Sequence, residues 1–313
     1  MSDTVSTHKI TAWVFAGQGS QTPGMGRDIY EEFPQTHAIF DSPAAGFNIA
    51  ELCFDAPAEK LGDTRYTQAA MAAFAAAVVK VLREAGKDCD AALGLSLGEY
   101  CALHAAGVFN AEDLLALLGY RGAIMADASK APSAMTAVFG LPDAEVEAIV
   151  AQTAKETGKI VSCTNYNSPG QVVIGGEETA VAQAAEALKT GGARRCIPLN
   201  TSGPFHTSLM NEASLLLAER LATMTLGEQC LPVIFNVTAA PAPNADIREL
   251  LARQIASPVR FAQSVLTLKE MGVTDIIEIG PGRVLAGLIK KTAPEIKVVS
   301  IETAEDLKEV IAQ

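Results

Sequence analysis

Positive charge, histidine and paired cysteine are all scarce in this chain of 313 residues. Lys and Arg together number 24 against 36 Asp and Glu, so the net charge is −12. That deficit excludes general nucleic-acid binding, which needs a basic face. It also excludes a polybasic membrane-surface protein. Long apolar runs are missing too. The longest, Ala69 to Val79, ends at Lys80 and falls short of the roughly 18 residues a membrane span needs. Six cysteines stand singly, with no CxxC pair and no neighbouring cluster among the four histidines, so no metal site is expected. Met1 to Lys9 is polar, unlike a signal peptide. Free cysteines without a signal predict a reducing, cytoplasmic setting. What the chain has in plenty is apolar mass. At 49% hydrophobic residues it can bury a large core, in one big domain or two modest ones.

The pattern along the chain predicts alternating strands and helices. Thr11–Ala16 reads as a strand ending in the tight loop Gly17-Gln18-Gly19-Ser20. Thr67–Ala85 reads as a buried, Ala-rich helix, and Ala91–Leu95 as a strand. Two further helices are expected to about Ala106 and from Asn110 to Ser129. The rhythm changes near Ala131-Pro132. Strand, helix, strand, strand, helix, strand follow over Met135–Leu199, the split-βαβ pattern of a ferredoxin-like unit. After it, helices at Ser208–Thr223, Ile247–Ile255 and Ala262–Met271 are expected. They accompany strands at Pro232–Val237, Val273–Ile279 and Lys297–Ile301. The expected class is α/β: a core of residues 1–130 and 200–313 with a largely parallel sheet, carrying residues 131–199 as an inserted small subdomain.

The segment richest in chemistry is Gly94-Leu95-Ser96-Leu97-Gly98, a Gly-x-Ser-x-Gly set between a predicted strand and a predicted helix. A sharp strand-to-helix turn there would expose the Ser96 hydroxyl and aim backbone N–H groups at a developing oxyanion. An ordinary Gly-Ser turn would carry the same letters. A serine nucleophile needs a base, and four histidines are candidates. His8 lies in the polar tail, His37 in a surface helix, and His104 about two turns down the helix after Ser96. His206 lies in the constrained loop Ser202-Gly203-Pro204-Phe205-His206-Thr207. Elimination favours His206, although a lone loop histidine is often inert. The Gly17-Gln18-Gly19 loop lacks GxGxxG spacing and the Walker Lys-Ser/Thr, so phosphate binding is poorly supported. It reads either as a donor of a backbone N–H or as a plain βα turn.

Taken in order, these segments resemble the malonyl-CoA:acyl-carrier-protein transacylases of type II fatty-acid synthesis and the related synthase acyltransferase domains. The resemblance runs from Gly17-Gln18-Gly19-Ser20-Gln21, through Gly94–Tyr100 and Tyr120-Arg121-Gly122, to Asn165–Gln171. It continues through Gly203–His206 and Arg253–Val259 to Glu278–Gly282. It implies an α/β-hydrolase-like core with a ferredoxin-like insert. It implies Ser96 as nucleophile, His206 as general base and acid, and the backbone carbonyl of Gln254 as the group that orients the histidine. The N–H groups of Gln18 and Leu97 match the oxyanion hole, and Arg121 matches the arginine that pairs with the malonyl carboxylate. A guanidinium suits that task because it holds a carboxylate bidentately and stays charged. Phe205 beside the base implies a preference for malonyl over bulkier methylmalonyl. In one respect the chain departs from the pattern: Leu95 stands where many relatives have His, so any hydrogen bond from that histidine is lost.

The resemblance implies transfer of malonyl from malonyl-CoA to the phosphopantetheine thiol of acyl carrier protein, with no cofactor, and a monomer is expected. Competing readings are a serine thioesterase or hydrolase on the same elbow, a trans-acting acyltransferase of polyketide synthesis, and a silent carrier-docking subunit. An acidic carrier would need basic residues at its docking edge. Lys189, Arg194 and Arg195 form one cluster and Lys290 and Lys291 another.

Overall fold

The computed structural model describes residues 9–128, 132–201, 203–243 and 245–313. His8, Ser202 and the stretch 129–131, where the expected subdomain boundary falls, lie outside the described residues.

Two sheets organise the molecule. The first contains β1 (Thr11–Phe15), β2 (Ala91–Gly94), β7 (Val233–Ile234), β8 (Asp275–Ile279) and β9 (Lys297–Ile301). Its order is β7-β2-β1-β8-β9 and every pairing is parallel. The second contains β3 (Ser133–Phe139), β4 (Val161–Ser168), β5 (Gln171–Glu177) and β6 (Arg195–Pro198). Its order is β4-β5-β3-β6 and its pairings are antiparallel. The class is therefore α/β with a largely parallel main sheet, as the alternation predicts. The second sheet has the strand order of a split βαβ unit.

The parallel strands read as nearly unbroken apolar runs because helices cover both faces. Trp13, Val14, Phe15 and Leu93 are wholly buried. The helix Thr64–Glu84 runs through the centre with most of its 21 residues buried. Alanines at 69, 70, 72, 73 and 75–77 keep much of its surface small, and the helix Ala111–Ala128 packs close against it. The smaller sheet has its own apolar layer. Val146 and Val150 from one helix, and Val181 and Leu188 from another, close on Val172 and Ile174.

Two parts of the expected pattern come out differently. Pro232–Val237 contributes only Val233 and Ile234 to the sheet. Phe235 turns back to Ala240 through its N–H, and Asn236 is drawn off to the Ser96 turn. Between Arg27 and Gly62 lie four short helices of four to six residues. Only the one at His37 is anticipated, because such lengths carry less than two turns of periodicity.

Candidate active site

Ser96 follows the C-terminal end of β2, and the helix Leu97–Ala105 begins immediately after it. Its backbone has φ 55 and ψ −107, a conformation L-residues avoid. Such a residue costs on the order of 1–3 kcal/mol and persists only when its surroundings hold it. The flanking glycines make the turn feasible. A Cβ on Gly94 would overlap the Gly98 backbone, and one on Gly98 would overlap the Phe15 carbonyl of β1. Leu95 is tucked against Gly17, so its side chain packs against the Gln18 loop.

The turn is held by amides. Asn236 Oδ1 accepts the Ser96 N–H at 2.8 Å, while Asn236 Nδ2 donates to the Gly94 carbonyl at 2.7 Å. Gln254 Nε2 donates to the Ser96 carbonyl at 2.9 Å. The Ser96 N–H is thus occupied. The next, on Leu97, opens the helix and has no intrahelical acceptor. Gln18 borders the same cleft as Ser96 and His206, and its Nε2 donates to Thr64 Oγ1 at 2.7 Å.

His206 also sits at positive φ (63) and is buried. Its Nε2 is 2.9 Å from Ser96 Oγ and its Nδ1 is 3.0 Å from the Gln254 carbonyl oxygen. A carbonyl can only accept, so Nδ1 carries the proton and Nε2 presents a lone pair to the serine. Burial, reinforced by the nearby Arg121 charge, pushes the imidazole down to about 4, so it is neutral at pH 7.

Arg121, on the helix Ala111–Ala128, is 1% exposed. Its Nη1 donates to Gln68 Oε1 at 2.6 Å and its Nη2 to Gln254 Oε1 at 3.0 Å and Ser96 Oγ at 3.3 Å. Its Nε has no partner, and the guanidinium lies 5.0 Å over the Tyr100 ring. Among the described residues no carboxylate pairs with it. A buried cation held only by neutral groups is costly unless an anion joins it.

The structure therefore brings Ser96, His206, Arg121, Gln254, Leu97, Gln18 and Phe205 to one region. A cleft of about 200 Å³ is lined there by Gln18 and Ser96 from the loops after β1 and β2, by Leu199, Phe205 and His206 from the segment after β6, and by Met135 and Asn165 from the smaller sheet. The other described histidines lie elsewhere. His37 stacks on Tyr30, and His104 bonds the Phe109 carbonyl. Among the described residues no group of three or more His, Cys, Asp or Glu is arranged to hold a metal.

Residues 12–309 match the family model described as the acyl transferase domain. The chain belongs to that family. It is 40% identical over 301 residues to a malonyl CoA-acyl carrier protein transacylase of Bacillus subtilis, covering 95% of each chain. It is also 40% identical over 303 residues to its Escherichia coli K12 counterpart, covering 95% of this chain and 96% of that one. Among solved structures, MCAT from Streptococcus pneumoniae superposes with a TM-score of 0.91 at 41% identity, covering 96% and 99% of the two chains. PlMCAT, solved in complex with a type II polyketide acyl-carrier protein, gives 0.93 at 37% identity, covering 97% and 99%.

Within this acyltransferase frame, sequence reading missed two contributors, Gln68 and Asn236. Gln68 and Asn236 lie in a helix and beside a strand that read as plain core. Only the polarity of an Asn or Gln amid apolar neighbours marks them.

Proposed function

We propose that this chain transfers malonyl from malonyl-CoA to the phosphopantetheine thiol of acyl carrier protein, through a malonyl ester on Ser96, in fatty-acid synthesis. The observation that carries the reading is the buried Arg121 guanidinium, unpaired with any carboxylate and within reach of Ser96 Oγ. An acyl group with a free carboxylate supplies the missing anion. Acetyl and simple fatty acyl groups do not.

The steps follow from the geometry. His206 Nε2 takes the Ser96 hydroxyl proton as the oxygen bonds to the malonyl thioester carbon. The charge that moves to the thioester oxygen is met by the N–H groups of Leu97 and Gln18. The Gln254 carbonyl steadies the imidazolium that forms. The C–S bond then breaks, and His206 returns the proton to the departing coenzyme A sulfur. The carrier's thiol enters, gives its proton to His206 and attacks the ester. The tetrahedral centre collapses, malonyl leaves on the carrier, and Ser96 recovers its proton from His206. The kinetics are ping-pong. Every step uses side chains and backbone of this chain, its substrate and its partner, with no cofactor.

Basic residues gather at one end of the smaller sheet. Phe139 pairs with both Arg195 and Gln171, and Lys291 Nζ reaches Gln171 Oε1 at 3.3 Å. Arg194, Arg195, Lys290 and Lys291 are exposed there, an edge suited to an acidic carrier in the cytoplasm.

Malonyl-CoA offered with and without carrier protein separates transfer from hydrolysis. Malonyl should accumulate on the carrier, and little malonate should appear in its absence. Rapid malonate release without carrier contradicts the proposal in favour of a hydrolase.

A further inference from the structure

Glu99 is a wholly buried carboxyl that the transfer steps leave unused. It sits in the first turn of the helix after Ser96 and packs behind the turn rather than in the cleft. One of its oxygens, Oε2, accepts the backbone N–H of Asn236; the other, Oε1, has no partner. Asn236 is the residue whose amide spans the Ser96 turn, taking the Ser96 N–H and giving to the Gly94 carbonyl. Two more contacts fix the site from the far side: Arg260 N–H donates to the Asn236 carbonyl, and Gln254 Nε2 donates to the Ser96 carbonyl. Asn236 itself lies just beyond the two-residue strand β7, so the sheet alone does little to anchor it.

Resting on the reading of Ser96 as nucleophile, we propose that Glu99 is a positioning residue. It fixes Asn236, and through Asn236 it keeps the Ser96 turn in the strained conformation that presents the hydroxyl to His206. The chain of bonds is Glu99 Oε2 to Asn236 N–H, then Asn236 Oδ1 to Ser96 N–H. What the role requires of Glu99 is an acceptor oxygen at that point, not a charge. Burial pushes its carboxyl up to about 8, while the Asn236 N–H and the nearby Arg121 charge pull it back down, and in either protonation state the carboxyl keeps an acceptor oxygen for Asn236. A glutamine offers the same oxygen in the same place, whereas a leucine fills the volume and offers none.

The test is the single-turnover rate of Ser96 malonylation, followed by mass spectrometry of the intact folded protein. This rate does not depend on how much of a preparation is active. Glu99→Leu should slow acylation by about 10–100-fold, the scale of a displaced reacting group, with the KM for malonyl-CoA little changed. Glu99→Gln should retain near-native acylation. Glu99→Leu in an Asn236→Ala background should cost little beyond Asn236→Ala alone, because both act through one chain of bonds. Native acylation by Glu99→Leu overturns the role. So does a Glu99→Gln as slow as Glu99→Leu, or fully additive losses in the double variant. Should Glu99→Leu fail to fold, the Glu99→Gln and Asn236→Ala rates still decide. Native acylation by Asn236→Ala, or a slow Glu99→Gln, contradicts it. Failure of the wild type to malonylate at all would instead remove the reading of Ser96.

Discussion

Arg121 carries a full positive charge where water scarcely reaches it. Its bonds to Gln68 and Gln254 are to neutral amide oxygens, which orient the guanidinium without cancelling its charge. A malonyl carboxylate gains a charge-assisted pair there, a class of bond worth about 1.5–3 kcal/mol. Arg121→Ala should therefore cut kcat/KM for malonyl-CoA by about 10–150-fold and leave acetyl-CoA little affected or improved. Equal losses for both donors would remove the carboxylate role. His206 makes a second prediction at this scale. Its ordinary value of 6.5 falls to about 4 on folding. The base therefore stays unprotonated well below neutrality, and the acid limb of kcat/KM should lie near pH 4. A limb near 6.5 would mean a solvated imidazole. The sign for stability follows the same shift. Between pH 6.5 and 4 the unfolded chain binds a proton that folded His206 refuses, so this group destabilises the fold as pH falls through that window. Above it, the group contributes nothing. The sequence makes Ser96 legible because glycines and a strand-helix switch mark a nucleophile's turn. It hides Asn236, 140 residues away, because its role exists only once β7 lies beside β2.

At the scale of elements, the Ser96 turn is a product of how β1, β2 and the following helix approach one another. Gly98 lets that helix start against the Phe15 carbonyl of β1, and nothing larger fits. Gly98→Ala should push the helix off the strand. Such overpacking costs about 1–3 kcal/mol, to be read as a lowered denaturant midpoint together with slower acylation of Ser96. An unchanged midpoint and rate would show that the contact can relax. Long elements were the legible ones. The helix Asp143–Thr157 falls where periodicity sets it. The helix expected from Ser208 begins instead as a single 3₁₀ turn, with Thr207 Oγ1 accepting from Leu209 N–H before the α-helix opens at Asn211. Side-chain capping of this kind resets a boundary without altering the apolar pattern.

At the scale of the whole molecule, the cleft exists because two sheets of different kinds meet. The parallel sheet delivers Ser96 at a strand end, and the antiparallel sheet supplies the facing wall with Met135 and Asn165. The smaller sheet is tied to the Val259 segment, between the helices Ile247–Gln254 and Phe261–Glu270, where Tyr166 N–H and Val259 N–H bond across to the Val259 and Thr164 carbonyls. The net charge of −12 recedes from the cleft's chemistry, where the deciding charge is the buried cation of Arg121. The central claim is that Ser96 carries the malonyl group, and mass spectrometry of the intact protein after brief mixing with malonyl-CoA tests it most directly. Wild type should gain the mass of one malonyl group, lost again when carrier protein is added, and Ser96→Ala should gain nothing. Persistent malonylation of Ser96→Ala, or an unlabelled wild type, would contradict the account.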